Sequence, residues 1–385
     1  MKKTKLFQIV PVLILTLLIS ENIKAGSEYV GNVQRGGSSG ASELLINPWA
    51  RSSGFGNANV SCVEGLEGVF LNVAGLAHTP RTELIFTNTQ WFTGTGISIN
   101  SFGLAQKVGE AGVMGLSVMS MGFGEIERTT TEQPEGGIGT FSPNYSVIAL
   151  AYSREFSNSI FGGLTAKVIN ESIHNISASG FALDAGIQYI TGLGRDKAGN
   201  RKRDNLKFGI TMQNVGTTMK FTGEGMTFFG LGQHGTDMSV EHRSQSFELP
   251  SLIRIGFSYN IMLLPDVDTD RNIVSSDHNL ILAASFTSNS FTRDQFHFGF
   301  EYSFVDLFFL RAGYIYEDGI TTTDNRLTAF TGPTAGMSVH IPTNKEGADV
   351  IGIDYSYRLT NPFGGVHTFG ARITLGERNI AASRY

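Results

Sequence analysis

The sequence is poor in what marks soluble enzymes and disulfide-stapled domains. Cysteine occurs once, at Cys62, so no intramolecular disulfide is available and the thiol reads as a small buried apolar group. Charged residues make up only 16 % of the chain. With a net charge of -5 and no basic stripe beyond the interrupted run from Arg195 to Arg203, nucleic acid is excluded as a partner. After the first 25 residues, no apolar run approaches the roughly 20 residues that a spanning helix needs. There is no G-x-x-x-x-G-K-[ST] loop, no G-x-S-x-G elbow and no H-E-x-x-H pair. The eight histidines are scattered. The reading is therefore of a chain without a catalytic set, a cofactor site or a metal site.

What is present points to export and to a membrane. Lys2, Lys3 and Lys5 precede an apolar run from Leu6 to Ile19, and Ile23-Lys24-Ala25 leads into Gly26, as in a secretory signal peptide covering residues 1–25. Ile23 departs from the small residue favoured there. Gly reaches 47, Phe 28 and Tyr 11, a mixture that suits a barrel wall with aromatic girdles at its interfaces.

Between residues 81 and 375 the chain settles into segments of about 10 residues that alternate apolar with small or polar side chains, separated by Gly/Asn/Asp/Pro clusters. In the clearest, Phe296, Phe298, Phe300, Tyr302 and Phe304 share one face, with His297, Gly299, Glu301 and Ser303 on the other. Ile253, Ile255, Phe257 and Tyr259 oppose Arg254, Gly256 and Ser258; Ile351, Ile353, Tyr355 and Tyr357 oppose Gly352, Asp354, Ser356 and Arg358. Charges in mid-strand on the polar face (Arg254, Glu301, Asp354, Arg358, Arg372) suit a polar lumen. Fourteen such segments are counted. The pattern predicts an all-β, antiparallel transmembrane barrel of about 14 strands in a bacterial outer membrane, touching its lipid. Gly124–Asn144 and Gly216–Leu249 become external loops, the second rich in apolar side chains. His278, His297 and His367 fall on strands as lumen or interface residues. Residues 26–80 lack period-2 alternation and form a lead-in and plug, with a short helical candidate from Val63 to Asn72; residues 376–385 are a tail ending in Tyr385.

Within the plug segment, the stretch from Leu44 to Ala58 holds Pro48, Ala50, Arg51, Gly54 and Gly56 in the pattern P-x-A/S-R-x-x-G-x-G. It is followed by Asn72, Ala74, Gly75 and Leu76, with Val73 where a Pro is usual. These residues resemble the PorV/PorQ family, within the FadL-like superfamily of outer-membrane barrels. The resemblance implies a 14-stranded barrel whose N-terminal segment folds inside as a plug or hatch, with Gly54, Gly56 and Gly75 permitting close approach. It further implies a binding and shuttle role in type IX secretion, with the translocon barrel, the C-terminal signal domains of cargo, or attachment-complex subunits as partners. Long outer loops, with Met226, Phe228 and Phe229 as candidate contacts, would do the docking. The alternative is a FadL-like channel for hydrophobic small molecules, its greasy pocket lined by Trp49, Phe55, Phe228 and Phe229.

Overall fold

A computed structural model describes residues 38–376 apart from 196–198, 200–201, 232–235, 269–272, 322–327, 344–348 and 361–362. The expected signal peptide and the tail beyond Gly376 lie outside the described residues. Fourteen strands close into one antiparallel barrel. They are Thr82–Trp91 (β1), Ile97–Val108 (β2), Gly112–Gly122 (β3), Asn144–Ser157 (β4), Ile160–Ile173 (β5), Ile176–Thr191 (β6) and Leu206–Gly216 (β7). The circuit continues with Leu252–Leu263 (β8), His278–Asn289 (β9), Gln295–Phe304 (β10), Phe308–Glu317 (β11), Gly332–Pro342 (β12), Val350–Arg358 (β13) and Val366–Leu375 (β14). Each strand pairs with its chain neighbour, and β14 returns to β1 with Thr82 opposite Leu375. Closure leaves the wall no free edge, which is what lets strands cross hydrocarbon.

The burial alternates with period 2, as the side-chain pattern requires. Phe296, Phe298, Phe300 and Phe304 are exposed on the outside, while His297, Glu301 and Ser303 are buried inside. Ile253, Ile255 and Phe257 on β8, Ile351 and Ile353 on β13, and Phe369 and Ile373 on β14 repeat the outward apolar face. No helix among the described residues is long and apolar enough to cross a membrane. A continuous apolar exterior around a closed barrel has one stable surrounding, lipid, and the chain is an outer-membrane barrel.

The ends differ. On the side of Thr82 and Leu375, the connections include tight turns at 109–111, 158–159 and 305–307; the opposite side carries the long segments 123–143 and 217–251. Short turns face the periplasm and long loops face outward, so both loops expected to be external are so placed. Exterior His–Tyr pairs mark the two rims: His278 Nδ1 lies 2.7 Å from Tyr302 Oη at the periplasmic end, and His367 Nδ1 lies 2.8 Å from Tyr355 Oη at the outer end. Amphipathic rings of this kind suit a membrane interface. His297, by contrast, faces the lumen.

Candidate functional site: a hatch inside the barrel

Residues 42–78 fold within the lumen as one short α-helix, Ala50–Gly54 (α1), and 3₁₀ turns at Ser42–Leu45, Asn59–Ser61, Gly65–Phe70 and Val73–His78. The helical candidate at Val63–Asn72 is present as the 3₁₀ helix Gly65–Phe70. The six residues Gly65–Phe70 take the tighter 3₁₀ form, and Gly65 and Gly68 disfavour a continuous α-helix there. Helix α1 meets β11–β14, the Asn59–Ser61 turn meets β7–β9, the Gly65–Phe70 turn meets β1–β3, and the Val73–His78 turn meets β3–β6. Gly56 O accepts from His297 Nδ1 at 2.8 Å on β10, so the hatch reaches all fourteen strands.

Close approach is possible because the wall supplies glycine where the hatch backbone presses. A Cβ built on Gly313 would lie 2.6 Å from the carbonyl carbon of Phe55, and one on Gly54 would lie 2.8 Å from Cα of Gly336. Gly56 has φ +67°, a left-handed backbone that favours glycine. A Cβ on Gly75 would run into the Val63 carbonyl oxygen. The remaining residues singled out by sequence are distributed through the same contacts. Pro48 is buried ahead of α1, and Ala74 and Leu76 are fully buried. Asn72 ties strands and hatch together: its Nδ2 donates to Val60 O at 2.9 Å and Ile187 O at 3.2 Å, while its Oδ1 accepts from Ala74 N.

Polar interactions concentrate on one arc of the wall. Arg372 of β14 pairs with hatch Glu67, with Glu83 of β1 at 2.6 Å and with Asp354 of β13 at 3.5 Å. Glu67 also accepts from Ser52 N at 3.1 Å and Ser52 Oγ at 2.6 Å. Glu301 of β10 takes Arg311 and hatch Arg51, the latter at 3.6 Å. Arg358 donates to Ser53 Oγ at 3.3 Å. Sequence reasoning placed the wall charges in a polar lumen but missed Glu67. Its only signal was a lone acid in the apolar run Leu66-Glu67-Gly68-Val69-Phe70.

The other arc carries the large apolar cluster. Trp91, Ile99, Met119, Met121, Tyr145, Val147 and Ile169 of β1–β5 pack on hatch residues Trp49, Leu66, Val69, Phe70, Val73 and Leu76 in one cluster. At the outer mouth an aromatic group continues it. Phe330 lies 4.9 Å from Trp91 and 5.5 Å from Phe92, ring centre to ring centre, and Phe363 stacks on Phe92 at 4.1 Å. Opposite Asp184 the wall bulges, and Lys167 Nζ closes the gap on Asp184 at 2.6 Å and Asn214 at 3.0 Å.

The expected greasy pocket of Trp49, Phe55, Phe228 and Phe229 does not form. Trp49 and Phe55 are buried within the hatch packing. Phe228 and Phe229 stand on an outer hairpin, Thr227–Leu231 paired with Asp237–Glu241, and Phe229 is 85 % exposed. Met226 sits half-buried at the foot of that hairpin. A cavity of about 30 Å³ between hatch and wall is lined by Phe55, Val63 and Ile281 together with Arg51, Asn59, Cys62, Glu64, Glu67, Glu301 and Arg311. It has room for about one water. Buried Arg311 Nη2 and Asn59 Oδ1, on two of the lining residues, have no hydrogen-bond partner.

Burial, ahead of the nearby Lys207 charge, pushes the Cys62 thiol up to about 11 from an ordinary 9.0. The thiolate is the reactive form. Cys62 is therefore expected to resist iodoacetamide at about pH 8 in the folded protein and to react freely once urea unfolds the hatch; equal rates would refute a seated hatch. Because the neutral thiol is favoured in the fold, its contribution to stability is full below pH 9.0 and is lost as pH rises toward about 11. Burial lowers the His78 imidazole, leaving a neutral ring against Gln188 Oε1 at 3.1 Å.

These features define a class: an outer-membrane barrel of fourteen strands closed by an internal N-terminal hatch. No sequence-family profile and no curated protein sequence matches the chain. Among solved structures it is similar to the toluene transporter TbuX of Ralstonia pickettii, at 12 % identity and TM-score 0.46 over 84 % of this chain and 96 % of that one. The Pseudomonas putida toluene transporter TodX gives 12 % and 0.47, also over 84 % and 96 %. A Pseudomonas aeruginosa FadL homologue gives 12 % and 0.46 over the same shares. The likeness is one of general barrel layout.

Proposed function

We propose that the protein is a gated port for hydrophobic small molecules, shut by its hatch in the conformation described. The observation that supports this reading is the apolar arc, running from the aromatic group at the outer mouth down the lumen side of β1–β5. A channel for polar solutes needs a polar, hydrated lining. Here a hydrocarbon entering between Phe330 and Trp91 has the apolar cluster of β1–β5 beside it on the way to the hatch. Passage then requires the hatch to shift, and the polar arc is the side on which it is held.

The chain has 2 tryptophans, Trp49 and Trp91, and both belong to this apolar cluster. Bromobenzene is accordingly expected to quench the intrinsic fluorescence of the detergent-solubilised protein saturably. Removing one mouth ring with Phe330→Ala should weaken that binding by about tenfold, the loss of one aromatic contact. Quenching that rises linearly without saturation, in both proteins alike, would remove the basis for this reading.

A second reading is favoured by a different observation. The outer hairpin exposes Phe229 at 85 % and Leu231 at 79 %, and exposed aromatic anchors of this kind serve protein docking. On this reading the barrel binds type IX cargo signal domains or translocon and attachment subunits, as the Leu44–Ala77 resemblance implies. Deleting the hairpin would then abolish their co-purification from solubilised outer membranes; undiminished co-purification counts against it.

A further inference from the structure

We infer that the base of the longest outer loop and the leading segment of the hatch form one latch, so that the loop and the hatch loosen or tighten together. The contacts are backbone contacts across 200 residues of sequence. Ser39 bridges Glu248 in parallel, Gly40 N donates to Glu248 O at 3.1 Å, and Glu248 N donates to Ser38 O at 3.4 Å. One residue away, Phe247 is paired with Met219 by two hydrogen bonds of 2.9 Å, which fold the loop base back on itself. The Phe247 ring sits where a Cβ on Gly40 would be. Ala41, Leu44 and Ile46 then join Met219 and Leu249 in the cluster that also holds Trp49.

The loop is thus stitched at one end to the wall and at the other to the strand-like start of the hatch, while its hairpin projects freely. Neither partner is ordered here by its own hydrogen bonds alone. Energetic coupling between two such elements is reciprocal: whatever orders one stabilises the other by the same factor. An event at the projecting hairpin is therefore felt at the hatch.

Hydrogen exchange of the purified mature protein in detergent micelles tests this in both directions. Phe247→Ala, a loop substitution, should speed exchange of the hatch amides from Gly40 to Ile46 by about tenfold, with those from Leu66 to Leu76 unchanged, as for a local opening. Gly40→Val, a hatch substitution that displaces the ring, should speed the loop amides of Met219 and Phe247 to a similar degree. If each substitution loosens only its own side, the latch does not exist. Should either variant fail to give the folded, heat-modifiable band, the pair Ser39→Cys and Glu248→Cys in a Cys62→Ser background carries the test. Oxidising that pair must slow exchange from Gly40 to Ile46 and at Met219, and no change at Met219 overturns the inference.

Discussion

Replacing Arg372 by methionine is expected to free the hatch while the wall stays closed. The guanidinium is the shared partner of Glu67, Glu83 and Asp354, all of them buried. Without it three carboxylates lose their common cation, although Asp354 keeps Ser338 and Glu67 keeps Ser52. Removing one member of a buried ionic network costs about 3–5 kcal/mol, most of it the stranded charge and not the lost attraction. The wall itself is held by backbone ladders, which the substitution leaves intact. Limited proteolysis of the solubilised protein should therefore cut the hatch faster by a factor of roughly 100 to several thousand, with the heat-modifiable barrel band preserved. The double variant with Glu67→Gln should recover part of the loss, since the remaining amide carries no charge. Wild-type cleavage in Arg372→Met would show that the network does not hold the hatch.

A comparable loss is expected from Gly313→Val, by an unrelated route. Its Cβ would stand 2.6 Å from the Phe55 carbonyl carbon, backbone against backbone, with β10 and β12 fixing the strand on both sides. No rotamer relieves such a contact, so either the Phe55–Gly56 turn lifts off or the strand shifts. The cost is expected near the upper end for overpacking, about 3 kcal/mol. The neighbouring Ala312→Val adds volume on the opposite, lipid-facing side of the strand, away from the hatch. Urea titrations followed by tryptophan fluorescence should separate the two: a lowered midpoint for Gly313→Val and an unchanged one for Ala312→Val. Equal midpoints would mean that the hatch does not bear on the glycine seam of β10–β12.

Both experiments concern what was hardest to read in advance. The strand order followed from chain adjacency, and the strand positions from alternation, because each wall residue faces lipid or lumen and no intermediate environment exists. The same two-residue repeat put Arg254, Glu301, Asp354, Arg358 and Arg372 on the inside. The hatch has no such repeat. Its turns are held by the surfaces they meet, not by a local propensity, so the helix expected within Val63–Asn72 is short and 3₁₀. The outer-loop position of Phe228 and Phe229 was legible, but their part in a lumen pocket was not. Phe228 and Phe229 look suited to a pocket, but the hairpin carrying them turns away from the lumen.

The amino-acid order alone determined that the chain makes a closed wall, which face of each strand meets hydrocarbon, and which loops are long. Those properties depend on neighbours one or two residues apart. Only the folded molecule decided which charges meet, because Glu67 and Arg372 are 305 residues apart in the chain and become partners only after the barrel has closed around the hatch. It also decided that the large apolar cluster gathers on β1–β5 while the Arg372 and Glu301 networks lie on β10, β11, β13, β14 and β1, a placement that depends on where each strand falls around the circle.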